Sequence, residues 1–239
     1  MLVINADDFG RSTAETDAAL RCWRAGRMSS VSAMVFMADS ERAAELAKAN
    51  NLRVGLHLNF TEQFTGDGIL ATLGNYQKKI ASFLTRNRYS QVFYNPRLRR
   101  EFAHSCQAQL EEFTRLFGRR PLHVDGHHHM HLCANLLLAN LIPAGMKVRR
   151  NFSFLPGEKS WLNRSYRTLV DRWLARRYRV TDYFFDLTQS IQEQKINRVL
   201  ALAAFKKVEL MTHPILQLES EYLMSNQFRT TLLRLSVVP

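Results

Sequence analysis

Short apolar runs that end in acidic or imidazole-bearing residues alternate along this chain with stretches of helical period. Residues 2–5 form the first run and lead into Asp7 and Asp8; residues 13–25 then carry helical spacing, with Gly26 placed to end it. A strand is predicted over 30–36 and a helix over 39–49, whose start Asp39 or Ser40 can cap. The next strand covers 52–58 and contains His57 near its end. Helical and irregular character follows over 60–120, with a helix at 96–117. Residues 122–125 read as a strand that runs into a histidine cluster, followed by a helix to about 141. Later strands are predicted over 145–149, 183–186 and 208–212, the last ending at His213-Pro214. No internal repeat, low-complexity tract or linker interrupts the pattern, so residues 1–239 read as a single domain.

Strands alternating with helices argue for an α/β fold with a parallel sheet. Asp7/Asp8, His57, Asp125/His127 and His213 all fall at or just after strand ends. Parallel strands bring their C-terminal ends to one face, where α/β proteins assemble their sites. The expected architecture is a distorted, TIM-barrel-like (β/α) barrel of about seven parallel strands.

Composition narrows the class. With 46% hydrophobic and 23% charged residues the chain is globular. No apolar run reaches the roughly 18–20 residues of a membrane-spanning helix. Met1-Leu2-Val3-Ile4 passes straight into the acidic motif without a basic, cleavable leader, so a cytoplasmic location is expected. Cys22, Cys106 and Cys133 are scattered and suggest no disulfide framework. The outlier is the net charge of +12, which suits nucleic acid, a phosphorylated ligand, an anionic membrane or simply a solvated basic surface. Residues 162–179 concentrate it: Arg164, Arg167, Arg172, Arg176, Arg177 and Arg179 interleave with Leu162, Tyr166, Leu169, Val170, Trp173 and Leu174 at helical spacing. Such a helix can lie on anionic lipid; the preferred expectation is a surface helix whose apolar side meets the core. No zinc-finger, helix-turn-helix or aromatic-basic signature accompanies the charge, so no nucleic-acid partner is expected. Peripheral membrane contact and a homodimer stay open.

The candidate chemistry centres on His123-Val124-Asp125-Gly126-His127-His128-His129-Met130-His131, where nine positions hold five of the chain's eight histidines. Imidazole is a common ligand of transition metals. The side chains of His127, His128 and His129 point in different directions, so one ligand is expected from the three, at His127. Asp125 suits a hydrogen-bonding support for a ligating imidazole. A carboxylate and two imidazoles with open positions suit a divalent metal that acidifies water and polarises a carbonyl. A second carboxylate can serve as base and a histidine as acid. These parts make a metal-dependent hydrolase without naming its substrate.

Four motifs occur in one order: Asn5-Ala6-Asp7-Asp8-Phe9-Gly10, Gly55-Leu56-His57-Leu58-Asn59, the histidine run, and Met211-Thr212-His213-Pro214. In this the chain resembles the YdjC-like carbohydrate deacetylases, a family that includes diacetylchitooligosaccharide deacetylases and hopanoid-associated deacetylases. The resemblance implies a distorted (β/α) barrel and hydrolytic removal of acetate from an N-acetylated sugar. Carried over, Asp8, His57 and His127 would hold a divalent ion, magnesium or zinc. Asp7 would be the general base and His213 the general acid, the split between Asp7 and Asp8 resting on analogy with another deacetylase class. Arg149, at the end of its strand, would contact substrate hydroxyls or form a surface ion pair. A metal-dependent phosphoesterase or other amidohydrolase shares the same ligands. A basic nucleic-acid or membrane-binding module on the same fold is the non-enzymatic alternative.

Overall fold

The computed structural model describes residues 1–87, 89–154, 158 and 160–236. In chain order it contains β1 (Leu2–Phe9), α1 (Thr13–Arg24), β2 (Ser30–Ala33), α2 (Ser40–Ala49), β3 (Val54–Leu58), α3 (Ala71–Thr85), α4 (Arg99–Phe117), β4 (Val124–Gly126) and α5 (Ala134–Leu138). It continues with α6 (Trp161–Ala175), β5 (Tyr183–Asp186), α7 (Leu187–Gln192), α8 (Ile196–Leu202), β6 (Val208–Thr212), α9 (Gln217–Met224) and α10 (Asn226–Ser236). The six strands form one parallel sheet in the order β4-β3-β2-β1-β6-β5, curled into a half-barrel. Its strands are short and buried along their length, as sheets covered on both faces require.

A seventh strand does not form. Residues 145–149 follow Pro143 and a left-handed Gly145, and they make only isolated bridges, Val124 to Val148 and Lys147 to Arg179. The segment lies against edge strand β4 without a continuous ladder, so six strands replace the expected seven. β1 runs four residues beyond the predicted 2–5, which carries Asp7 and Asp8 inside the strand instead of after it.

α4 starts three residues after the predicted position because Pro96–Leu98 forms a separate 3₁₀ turn capped by the Asn95 side chain. Its buried Phe102, Cys106, Gln109, Phe113 and Leu116 recur at helical period and join the core; left-handed Gly118 ends it. Gln109 is buried for a reason. Its amide takes the Asn59 N–H (2.7 Å) and donates to the Asn59 carbonyl (2.9 Å). Gln77 of α3 donates to the carbonyls of Asn59 (3.1 Å) and Glu62 (2.7 Å), so two buried amides fix the turn after β3.

α6 meets the core with only half of its expected apolar side: Leu174 is buried and Val170 and Trp173 pack beside it, but Trp161, Leu162, Tyr166 and Leu169 are exposed. Among the described residues, no helix is long and apolar enough to cross a membrane. The three cysteines are free and buried.

Candidate active site

Six parallel strands deliver their C-terminal ends to one edge of the sheet. Asp7 and Asp8 arrive from β1, His57 from β3, Asp125 from β4, Asp186 from β5 and His213 just past β6. Consecutive strand residues ordinarily face opposite sides. The β1–β2 register shifts between Ala6 and Phe9, and Asp8 takes a left-handed φ of 62°. This irregularity turns both carboxylates toward one imidazole. His57 Nε2 lies 3.3 Å from Asp8 Oδ1 and 3.9 Å from Asp7 Oδ2.

The histidine run is equally irregular. A 3₁₀ segment covers His127–Leu132, with His128 (φ 51°) and His129 (φ 59°) left-handed. This breaks the predicted helix and gives the three imidazoles different polar and aromatic partners, although the His127 and His128 rings stay in contact. His127 Nδ1 meets Asp8 Oδ1 at 2.9 Å and its Nε2 meets Glu62 Oε1 at 3.1 Å. His128 turns to the Thr61 hydroxyl (3.0 Å), and His129 packs edge-on against Phe152. His131 is buried, bonded through Nε2 to the Arg149 carbonyl at 3.0 Å, with Nδ1 unpartnered. Gly126 makes room for it, since a Cβ there would stand 2.8 Å from the His131 nitrogen.

Below this layer the contacts are ionic. His57 Nδ1 donates to Asp125 Oδ1 (2.8 Å), which fixes the tautomer and leaves Nε2 facing Asp7 and Asp8. Arg149 is the surprise. Instead of reaching toward the surface, its side chain is wholly buried. It bonds both oxygens of Asp7 (2.6 and 2.7 Å), Asp125 Oδ2 (2.7 Å) and Glu209 Oε1 (2.7 Å). Asn5 donates to Asp7 Oδ1 (2.9 Å), and Ser32 donates to Asp125 Oδ2 (2.7 Å) while meeting His123 Nε2 at 2.9 Å.

Charge explains why these groups want a cation. Four buried carboxylates (Asp7, Asp8, Asp125 and Glu209) face one buried guanidinium, leaving three negative charges if the imidazoles are neutral. Burial opposes a proton on His57, yet Asp7, Asp125 and Asp8 together push its pKa up to about 10. Burial raises the Asp8 pKa, but hydrogen bonds from His127 and His57 drive it well below the carboxylate range. The same negative field that holds a proton on His57 attracts a divalent ion, which would displace that proton. Ligand distances of about 2.1 Å imply donor–donor edges of about 3.0–3.4 Å. The donors of Asp8, His57 and His127 are separated by 2.9 and 3.3 Å along two such edges, so the residues fit a metal.

His213 stands at the rim, half-exposed, with Nε2 4.0 Å from Asp8 Oδ2. Glu219 accepts its backbone N–H, and the donors of Asp186, His213 and Glu219 lie within 4.8 Å of one another. Burial raises the pKa of both Asp186 and Glu219. Glu62, Glu209, Ser32, Asp186 and Glu219 are the neighbours that sequence reading passed over. Asn59-Phe60-Thr61-Glu62 held the one usable signal, an Asx turn in which Asn59 Oδ1 accepts the N–H of Thr61 (3.1 Å) and Glu62 (2.9 Å).

Comparison with known proteins bears on the fold and the family. A solved Enterococcus faecalis structure, provisionally described as a cellobiose-phosphate cleavage protein, superposes with a TM-score of 0.68 over 99% of this chain and 95% of its own, at 21% identity. At that identity the match speaks for the fold. A Mus musculus protein named carbohydrate deacetylase is 29% identical over 89% of this chain and 77% of its own length, and its Homo sapiens namesake is 30% identical over 89% and 74%. A chitooligosaccharide deacetylase of Yersinia enterocolitica is 33% identical over 55% of this chain and 51% of its own. The family model described as YdjC-like protein matches residues 1–234, which takes in every strand and every site residue above, and the chain belongs to that family.

Proposed function

We propose that this protein hydrolyses the acetamide of an N-acetylated sugar, releasing acetate and a free amine. Its deacetylase relatives support the reaction type. The observation that carries the reading is the adjacent carboxylate pair of β1, one member among imidazoles and the other on a buried guanidinium.

Asp8, His57 and His127 would hold a divalent ion, which supplies Lewis-acid polarisation of the acyl oxygen and acidifies water. Asp7 is the base. Its Oδ1 accepts from Arg149 and Asn5, whereas Oδ2 accepts from Arg149 alone and faces the site. The remaining lone pair on Oδ2 takes the proton of the attacking water. His213, held by Glu219 through its backbone, delivers a proton to the amine nitrogen as the carbon–nitrogen bond breaks. Arg149 serves beneath the reacting groups: it aims Asp7 and, through Asp125, His57.

The test is acetate release from N,N'-diacetylchitobiose and an N-acetylglucosaminyl lipid. Activity is expected in the presence of a divalent ion and should be lost with chelator and in Asp7→Asn. Phosphate release from a sugar phosphate with no acetate would overturn the reading in favour of a phosphoesterase.

A further inference from the structure

An amphipathic helix in a soluble domain normally turns its apolar side inward. α6 does so only in part: Val170, Trp173 and Leu174 meet the core, while a larger apolar set stays outside. At 3.6 residues per turn, Trp161, Arg172, Arg176, Leu169, Leu162 and Tyr166 fall within about 140° of arc. Trp161, Leu162, Leu169 and Tyr166 are 72%, 63%, 68% and 49% exposed. Arg172 and Arg176, on the same arc, are exposed as well. The inward face is partly polar: Leu174 is buried beside Asp171, which binds Arg150 and Asn151, and Val170 and Trp173, the latter at the edge of the outer arc, pack against the core.

A second exposed apolar stretch stands opposite. Tyr89, Val92 and Phe93 are 53%, 42% and 65% exposed. Tyr89 and Val92 share with Tyr166 and Arg167 the walls of a cavity of about 350 Å³, whose lining also includes His128 and His129. The His128 ring centroid is 4.0 Å from that of His127. Of the exposed apolar residues, Tyr89, Val92 and Tyr166 therefore line a cavity that also touches His128, the ring neighbour of His127.

We propose that this face docks on an anionic lipid bilayer, with α6 lying in the headgroup region and the cavity directed at the membrane. Large apolar side chains interleaved with arginines on one helical arc suit that interface: the former enter the acyl boundary and the guanidinium groups meet lipid phosphates. The chain's net charge of +12 adds long-range attraction. A second copy of the chain fits the face poorly. An isologous contact there would bring two arginine-bearing faces of like charge together. Nucleic acid would use the arginines but leave Leu162 and Leu169 in water.

The experiment is co-sedimentation of the full chain with vesicles of phosphatidylglycerol and phosphatidylcholine, against vesicles of phosphatidylcholine alone. Binding to the anionic vesicles is expected to weaken with added salt. At about fivefold per arginine, Arg172→Gln/Arg176→Gln should lose affinity by about 25-fold. Arg21→Gln/Arg198→Gln, which removes the same charge from exposed positions on α1 and α8, should retain binding. Leu162→Ser/Leu169→Ser should also release the protein, at an unchanged melting temperature because both residues are exposed. In the unmutated chain, vesicles should shift tryptophan emission to the blue, and Trp161→Phe should remove most of that shift. Absence of binding, or equal binding by all these variants, overturns the proposal. So does a dimer that Leu162→Ser/Leu169→Ser converts to monomer, or DNA or RNA binding lost on the same substitutions without vesicle binding. Vesicle binding is read without turnover, so failure of the deacetylase reading leaves this test intact.

Discussion

Arg149 joins the catalytic layer to the fold. Its guanidinium touches carboxylates from the neighbouring strands β1 and β6 and from β4, which β2 and β3 separate from β1 in the sheet. Removing one partner of a buried ionic cluster strands the others in a dry interior. Arg149→Met should therefore destabilise the protein by about 3–5 kcal/mol, read as a lower urea midpoint. Arg149→Lys keeps the charge but not the fork, so it should recover part of the stability and little of the activity. His131 makes a different residue-level case. Burial, without an acceptor for Nδ1, pushes its pKa down to about 4. The unfolded chain binds that proton near pH 6.5 and the folded chain only near 4, so stability is full above 6.5 and falls as pH drops between the two values. The loss should approach about 3 kcal/mol. His131→Asn should show a shallower decline in urea midpoint from pH 7 to pH 4. At this scale the sequence indicated which residues come together but not always what each one touches. Asp7, Asp8, His57, His127 and His213 converge as expected. Arg149 was expected to meet substrate or solvent, because nothing in a linear pattern tells a buried guanidinium from a surface one.

Elements were easier to read where periodicity ruled and harder where the site did. β2, β3, α2 and α4 follow from apolar period and caps to within a few residues. The segment after β4 escaped because nothing in its residue types signals the left-handed backbone that His128 and His129 adopt, which breaks the helix expected there. α6 was read half correctly: Val170, Trp173 and Leu174 face the core as expected, but amphipathicity did not show that Leu162, Tyr166 and Leu169 stay exposed. β3 offers a test of how closely elements pack beneath the site. A Cβ on Gly55 would come within 2.3 Å of His123 Nε2, and His123 is itself held by Ser32. Gly55→Ala should cost about 1–3 kcal/mol through overpacking. His123→Ala in the same chain should return much of that loss, a coupling that a double-mutant cycle in urea measures directly.

The whole molecule carries opposite charges inside and out. Its net charge of +12 coexists with a site where four carboxylates outnumber a single guanidinium. The folded state alone gathers those carboxylates, so a divalent cation should bind it in preference to the unfolded chain, where Asp8, His57 and His127 are far apart. Such linkage stabilises by RT ln(1 + [L]/Kd), about 2.7 kcal/mol when the ion is present at 100 times its Kd. For a domain of this length that corresponds to a rise of roughly 5–10 °C in melting temperature. Zinc, magnesium and manganese titrated against the chelated protein should therefore raise its Tm by differing amounts, and the most effective ion should best restore acetate release. Asp8→Asn should abolish both responses. Asp7→Asn should abolish turnover while keeping most of the thermal shift, because Asp7 is held by Arg149 at 2.6 Å and comes no nearer than 3.9 Å to His57 Nε2. A thermal shift lost equally in both variants would move Asp7 into the ligand set and leave the water without its assigned base.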